Sequence, residues 1–391
     1  MMHFPIKRRV AVVGAGMTLY RRRLQETTKE MVFHAVKMAL DSAGLTIKDV
    51  DAVVGGSAPD LFDGIHMKGE NVITEAGGAL KPYLRNFTGG TTGVSQQINA
   101  WSIVASGLAD VCISVSWEKM SPCHPHPQYA FWTIFDRIIE RPLGVNLVWI
   151  FALEMNRYMH KHNIKKEDIA LVAVKNKANA LDHPCAQLPA KITVEDVLNS
   201  PVMCWPVQRL DISPPSDGAS AVIFASEDVA KKITDTPVWV IGVGRCEDTT
   251  YWMNRDLYFP YYAYYAGQQA YSMAHIHNPR KEIDVFEIYD PFDYKELHHM
   301  EGLRLCGKGE APKLTREGVT QRDGDMPVNP SGGLMGVGNP IAAGGGMKVC
   351  EIFWQLRKEA GKRQVKKDAT VGLAHAWGEL MQGSSVLIMK V

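Results

Sequence analysis

Apolar positions fall into short blocks punctuated by glycine. Residues 10–13 are a valine-rich run leading into Gly14, Ala15 and Gly16, which predicts a buried strand entering a turn. Val32, Ala35, Val36 and Ala39 recur at helical spacing and predict an amphipathic helix over 27–45, followed by a second strand at 51–54. After Arg85 come a glycine turn, a helix, a short turn at Gly107 and a strand at 110–115. The last third repeats this order, with a glycine-rich stretch at 329–346, a helix at 347–359 and a strand at 369–373. Strands also open both parts, at 10–13 and 238–241. The repeated order predicts two α/β halves related by internal duplication. The stretch 329–346, NPSGGLMGVGNPIAAGGG, is too glycine-rich for a helix and too long for a hairpin turn. It reads as a crossing where backbone or ligand approaches closely, since glycine reaches angles closed to other residues.

The middle of the chain departs from the pattern. Residues 121–204 carry SPCHPHPQYAFW, a helix-like run VWIFALEMNRYMHKHN and the run KNKANALDHPCAQL, and read as an insertion or lid between the halves. Strand character returns at 217–225. The expected division is therefore 1–120 with 205–235 as the first half, 121–204 as the insertion and 236–391 as the second half. An aromatic run follows from Tyr251 to Tyr271; most of it fits a core, although a buried tyrosine hydroxyl needs a partner.

Composition narrows the possibilities. The chain has 391 residues, 46% of them hydrophobic, and a formal charge of +1. That is enough for a large core and gives no support for nucleic-acid binding. The seven cysteines are scattered without a CxxC pair, so neither a disulfide framework nor a thiolate zinc site is indicated. The GAG at 14–16 lacks the rest of a dinucleotide fingerprint. No signal-peptide pattern and no apolar run near membrane-spanning length is evident. A soluble cytoplasmic protein without a membrane association is expected.

Several residues are candidates for chemistry. Glu287 and Tyr289 alternate onto one strand face, and a phenol at a strand end can donate a proton or stabilise an oxyanion. Cys123 is followed by His124 and His126, imidazoles that could support a thiolate. Asn339 sits within the glycine-rich stretch, where its amide could orient a carbonyl oxygen or a water. His375 follows a predicted strand and is a possible pocket residue. His298 and His299 share a helix, but no third ligand at metal spacing accompanies them, so no metal is expected.

Together these segments resemble the thiolase superfamily, in the branch of sterol-carrier-protein-type thiolases and lipid-transfer-protein-like aldolases. VAVVGAG, GLADVCISVSWEKM, DGASAVIF, VFEIYDPF, LCGKGEA, NPSGGLMGVGNP and GLAHAWG occur in family order across nearly the whole chain. The resemblance implies an α/β thiolase fold, two duplicated halves in an α-β-α-β-α sandwich with a mixed five-stranded sheet each and an inserted loop region. It implies a homodimer, acyl-CoA substrates with coenzyme A as co-substrate, and no tightly bound cofactor. For the aldolase relatives it also implies a small accessory subunit with an OB-fold and a zinc-finger segment.

The motif residues depart from the family pattern. The nucleophilic cysteine position falls at about Gly90 in GGTTG, and no cysteine occurs before Cys112. The HDCF histidine matches Tyr289, the GHP histidine matches Asn339, and HNxG matches His375-Ala376-Trp377-Gly378. Gly90, Gly332, Gly333 and Gly338 are expected to let backbone donors and the thioester approach. The expected reaction is thiolysis of a bulky 3-oxoacyl-CoA, aromatic acyl groups included, with Cys123 substituting as nucleophile and His124 or His126 as base. The alternatives are retro-aldol cleavage of a 3-hydroxyacyl-CoA, which needs no covalent thioester and is favoured by the YDxF tyrosine, and a non-catalytic scaffold or lipid-binding subunit.

Overall fold

The computed structural model describes residues 8–378 and 382–391. Residues 1–7 of the expected first half and 379–381 of the second lie outside the described residues. The first half opens with β1 (Val10–Met17), α1 (Thr28–Ala43), β2 (Ala52–Gly56), β3 (Tyr83–Asn86), α2 (Thr92–Ser106) and β4 (Val111–Glu118). Then come α3 (Pro127–Trp132), α4 (Leu147–His162), α5 (Lys166–Asn179), α6 (Val194–Leu198) and a small hairpin of β5 (Val202–Cys204) and β6 (Val207–Gln208). β7 (Gly218–Ser226) and α7 (Glu227–Ile233) lead to β8 (Val238–Glu247), α8 (Tyr261–Ala274), α9 (Pro279–Glu282), β9 (Val285–Glu287), α10 (Asp293–Gly302) and α11 (Ala311–Arg316). The chain closes with α12 (Gly333–Val337), α13 (Ile341–Leu356), β10 (Val371–Gly378) and β11 (Gly383–Lys390).

Nine strands run in the order β3-β2-β4-β7-β1-β8-β11-β10-β9. The order is a mirror about the β1–β8 junction, which is joined by the pairs Ala11 with Trp239 and Val12 with Val238. β2 pairs in parallel with β3 and β4, and β9 pairs in parallel with β10; the remaining neighbours are antiparallel. A parallel bridge from Phe286 to Val328 takes the place in the second half that β3 holds in the first. α1 covers the outer side of β1, β7 and β4, and α8 covers β8 and β11. α2 and α13 lie between the two parts of the sheet, each packing on strands of both. This is the five-layered α-β-α-β-α arrangement that the duplicated order requires.

Local chemistry sets the element ends. Thr27 caps α1 in a capping box with Glu30, and Gly44 closes it at φ 66°. Gly14 and Gly16 correct the reading of a turn after 10–13, because both lie inside β1. A Cβ on Gly14 would come within 2.5 Å of the Ala39 carbonyl, so the glycines let α1 press against the strand.

The glycine-rich stretch is corrected in the same sense. Two parts of it are helical, and Gly344, Gly345 and Gly346 belong to the first turns of α13. Glycine costs about 1 kcal/mol per helical position relative to alanine. Close helix crossing offsets that cost here: Gly345 meets Gly93 of α2, and Gly346 faces Ser116 and Ser220 of the sheet. A Cβ on Gly93 would lie 2.1 Å from the Ala342 carbonyl. Gly93→Ala is therefore expected to destabilise the protein by about 1–3 kcal/mol, read from the denaturant midpoint. An unchanged midpoint would mean that the two central helices can part at no cost.

Candidate functional site

A cavity of about 1550 Å³ opens where both central helices begin. Gly89 and Gly90 before α2, Asn339 and Ile341 at the start of α13, and Tyr289 beyond β9 supply its floor. The inserted segment supplies one wall through Cys123 to Gln128, Phe131, Leu147 and Phe151. Phe292 and Trp377 complete an aromatic wall with Phe151, whose ring is 4.5 Å from Phe292 and 5.3 Å from Trp377. The aromatic run at 251–271 does not contribute to this cavity; it forms α8, packed on β8 and β11, and the loop before it, whose Trp252 and Tyr258 meet Trp149 and His162 of α4.

Tyr289 is held through both its backbone and its hydroxyl beside the cavity. Its N–H donates to His375 Nδ1 at 3.4 Å, and its carbonyl accepts from His299 Nδ1 at 2.9 Å. Its hydroxyl lies 3.0 Å from the Ile341 carbonyl and 3.2 Å from Asn339 Oδ1. Burial pushes the phenol pKa far up, with the charges of Glu118 and Asp290 adding to the effect, so the group stays protonated and donates. Asn339 is itself held: its N–H donates to Ser216 Oγ at 3.0 Å and its Nδ2 to Ser213 Oγ at 3.1 Å. Tyr289 and Asn339 thus form one hydrogen-bonded pair facing the cavity.

His375 lies elsewhere. It is inside β10, fully buried, and does not line the cavity. Nδ1 accepts from Tyr289, so Nε2 carries the proton and donates to Ser384 Oγ at 2.9 Å. Burial, with Lys348 and Lys295 nearby, pushes its pKa down to about 3. It is a neutral strut behind Tyr289.

Cys123 does line the cavity, packed with Ala58, Phe62, Met120, Ala130 and Ile341. Its loop is tied to Asp217, which accepts from the N–H groups of Met120 and Ser121 at 2.8 and 2.9 Å. The thiol donates to the His126 carbonyl at 3.5 Å, and burial raises its pKa, which disfavours the thiolate. Among the described residues no imidazole hydrogen-bonds its sulfur; His126 Nδ1 accepts from Gln128 N–H at 3.2 Å. His124 and His126 are exposed at the rim.

Of the glycines, Gly90 reaches the cavity. Its Cβ direction is filled by the Trp377 carbonyl at 2.4 Å, so backbone occupies the space of a side chain there. Gly332, Gly333 and Gly338 do not line it. Their positive φ values of 104°, 58° and 125° let the loop fold against Ala180, Asp290 and Ser216.

Buried ion pairs hold this loop. Lys348 of α13 reaches Glu287 and Asp290, both at 3.1 Å, and donates to Asn329 Oδ1 at 2.9 Å. Asp290 accepts from Leu334 N–H at 2.8 Å, and burial raises its pKa to about 6 against the pull of Lys348. Lys68 pairs with Glu118, Lys166 with Asp211, Lys175 with Glu296 and Lys295 with Glu154, all buried. One more buried lysine, Lys177, lines the cavity and has no such partner among the described residues. Arg22, Arg23 and Arg209 stand exposed at the mouth. Sequence reasoning passed over Lys177 and Ser213; the only signals were a basic run at 175–177 and a polar loop before the strand at 217–225. Among the described residues there is no group of three or more histidine, cysteine or acidic side chains able to hold a metal, and no helix long and apolar enough to cross a membrane.

Family comparison agrees with this frame. The thiolase N-terminal domain family matches residues 10–228, and the thiolase C-terminal domain-like family matches 245–391. The chain belongs to the thiolase family. Among relatives of this thiolase, an acetyl-CoA acetyltransferase of Methanothermobacter thermautotrophicus is 35% identical, over 95% of this chain and 96% of its own length. The benzoylsuccinyl-CoA thiolase subunit BbsB of Thauera aromatica is 28% identical, over 95% of each chain. Human sterol carrier protein 2 is 28% identical over 95% of this chain and 70% of its own length, which places this thiolase in the sterol-carrier-protein-like branch. In fold it is similar to the Ltp2-ChsH2(DUF35) aldolase, at TM-score 0.84 and 24% identity over 98% of both chains.

Proposed function

We propose that this thiolase-family chain makes or breaks a carbon–carbon bond beside a coenzyme A thioester, and does so without an acyl-cysteine, as a retro-aldolase on a 3-hydroxyacyl-CoA. The observation that carries this reading is the state of the nucleophile. Backbone fills the cysteine position at Gly90, and the cavity cysteine, Cys123, holds a thiol kept protonated by burial.

In the retro-aldol step the C3 hydroxyl proton passes to the rim imidazole of His124, since that of His126 already accepts the Gln128 N–H at Nδ1. The C2–C3 bond breaks and an aldehyde or ketone leaves. Its electron pair moves to the thioester enolate, whose oxygen the Tyr289 hydroxyl hydrogen-bonds beside Asn339. The imidazolium then returns the proton to C2. Coenzyme A is a substrate moiety, with Arg22, Arg23 and Arg209 at the mouth suited to its phosphates. The cavity volume and the aromatic wall suit a bulky acyl group. A homodimer in the cytoplasm, with a small OB-fold and zinc-finger accessory subunit, belongs to the same proposal; so does the division at 1–120 with 205–235, 121–204 and 236–391.

Thiolysis of a 3-oxoacyl-CoA is the second reading, favoured by Cys123 lining the cavity and by relatives named as acetyltransferase and thiolase. A Cys123→Ala variant separates the two. Retro-aldol release of a carbonyl product is expected to stay within about threefold of wild type, whereas an acyl-cysteine route would fall by several orders of magnitude. Two new thioesters from a 3-oxoacyl-CoA with free coenzyme A, lost in the variant, would overturn the proposal. Thioester binding without either reaction would point to a scaffold.

A further inference from the structure

Of the buried lysines among the described residues, Lys177 is the exception. The other five lie against carboxylates. Lys177, on α5, is 3% exposed, yet its ammonium donates to a neutral group, the Met335 carbonyl at 3.2 Å. A buried ammonium without a counter-charge is costly, and natural cores pair it. Burial alone lowers its pKa to about 8, which still leaves it mainly protonated at neutral pH. The missing carboxylate coincides with the cavity that Lys177 lines.

The placement says which part of a ligand meets it. Met335 lies in α12, four residues before Asn339, and the neighbouring Gln187 N–H donates to the Val337 carbonyl at 2.9 Å. Lys177 therefore lies against the stretch that leads to Asn339, and it is buried where Arg22, Arg23 and Arg209 are exposed. Phosphates of coenzyme A have those arginines as solvated partners. An oxyanion reaching Lys177 comes from deeper in the ligand.

We infer that Lys177 is a specificity residue that recognises an oxyanion on the bound thioester, namely a carboxylate carried by its acyl group. The inference rests on reading the cavity as the acyl-CoA site. It adds a substrate class, acyl-CoA thioesters with a second, free carboxylate.

Calorimetric titration tests this without turnover. Wild-type protein is expected to bind glutaryl-CoA about tenfold more tightly than pentanoyl-CoA, the range of a hydrogen bond to a charged group. Lys177→Met keeps the stem and removes the charge; it is expected to erase that preference by weakening glutaryl-CoA alone. Lys177→Arg is expected to restore part of it. The melting temperature of Lys177→Met is expected to stay level or rise, because an unpaired buried charge has gone. Equal binding of both thioesters by wild type, or an unchanged preference in Lys177→Met, overturns the inference. If the variant instead erases a preference for coenzyme A over dephospho-coenzyme A, the anion is a phosphate and the acyl-carboxylate assignment falls. An intact binding preference without retro-aldol turnover counts against the proposed reaction and leaves the specificity residue standing.

Discussion

Tyr289→Phe is expected to lower kcat by about 10²–10³-fold while the KM for the thioester changes little, the usual result of deleting one donor to a developing oxyanion. The substitution removes a single oxygen. Both backbone anchors, to His375 and His299, stay in place because they hold the peptide and not the ring. The fold should therefore tolerate the change, with a loss limited to the two contacts of the hydroxyl at Ile341 and Asn339. A uniform loss of binding would raise KM instead, which separates the two explanations. The pH dependence gives a second check. Burial raises the phenol pKa, so Tyr289 acts as a donor throughout the neutral range and contributes no limb to the kcat profile there. A wild-type rate that climbs with pH up to 10 and is lost in the variant would make Tyr289 a base and sink the donor role. A loss below about tenfold would remove it from the chemistry.

Much of the frame was legible from pattern. The repeated order of glycine turn, helix and strand predicts the mirrored sheet, because each half must bury the same faces in the same sequence of elements. The glycines were harder to read. Gly14, Gly16 and Gly345 stay in regular structure because a partner backbone lies where their side chains would be, and Gly346 because the Ser116 and Ser220 side chains do; all these partners are distant in sequence. Periodicity places Tyr289 at a strand end but says nothing of the atom it meets, so its pairing with Asn339 emerges only when β9 and α13 are brought together. The same limit applies to His375. Alternation assigns it a face of β10, and only the packed sheet shows that this face points at the Tyr289 backbone and not at the cavity. Cys123 stood out by its imidazole neighbours in the chain, yet among the described residues its sulfur meets the His126 carbonyl and neither imidazole. Lys177 was hidden for the opposite reason: a basic run usually marks a solvated face, and only burial without a carboxylate makes it distinctive.

The loop that carries Asn339 depends on Lys348, and Lys348→Met is expected to cost about 3–5 kcal/mol of stability at pH 8, the usual penalty for leaving buried charge uncompensated. Glu287 and Asp290 are both fully buried on either side of the ammonium. Burial already raises both carboxyl pKa values, Asp290 to about 6, and Lys348 opposes that rise. Removing it lifts both further. The folded variant then binds more protons than the unfolded chain at any pH between the ordinary carboxyl range and the raised values. Stability of the variant must therefore increase as pH falls through that window and decrease as pH rises. The difference from wild type is expected to be smaller at pH 5 than at pH 8, measured by urea unfolding at both. Equal losses at the two pH values would show that packing, not charge, is what the lysine contributes. The same variant links stability to the site, since Lys348 also fixes Asn329 at the start of the loop. Its residual fold at pH 5 should bind thioester with Asn339 less well placed against Tyr289, so turnover should fall more than affinity.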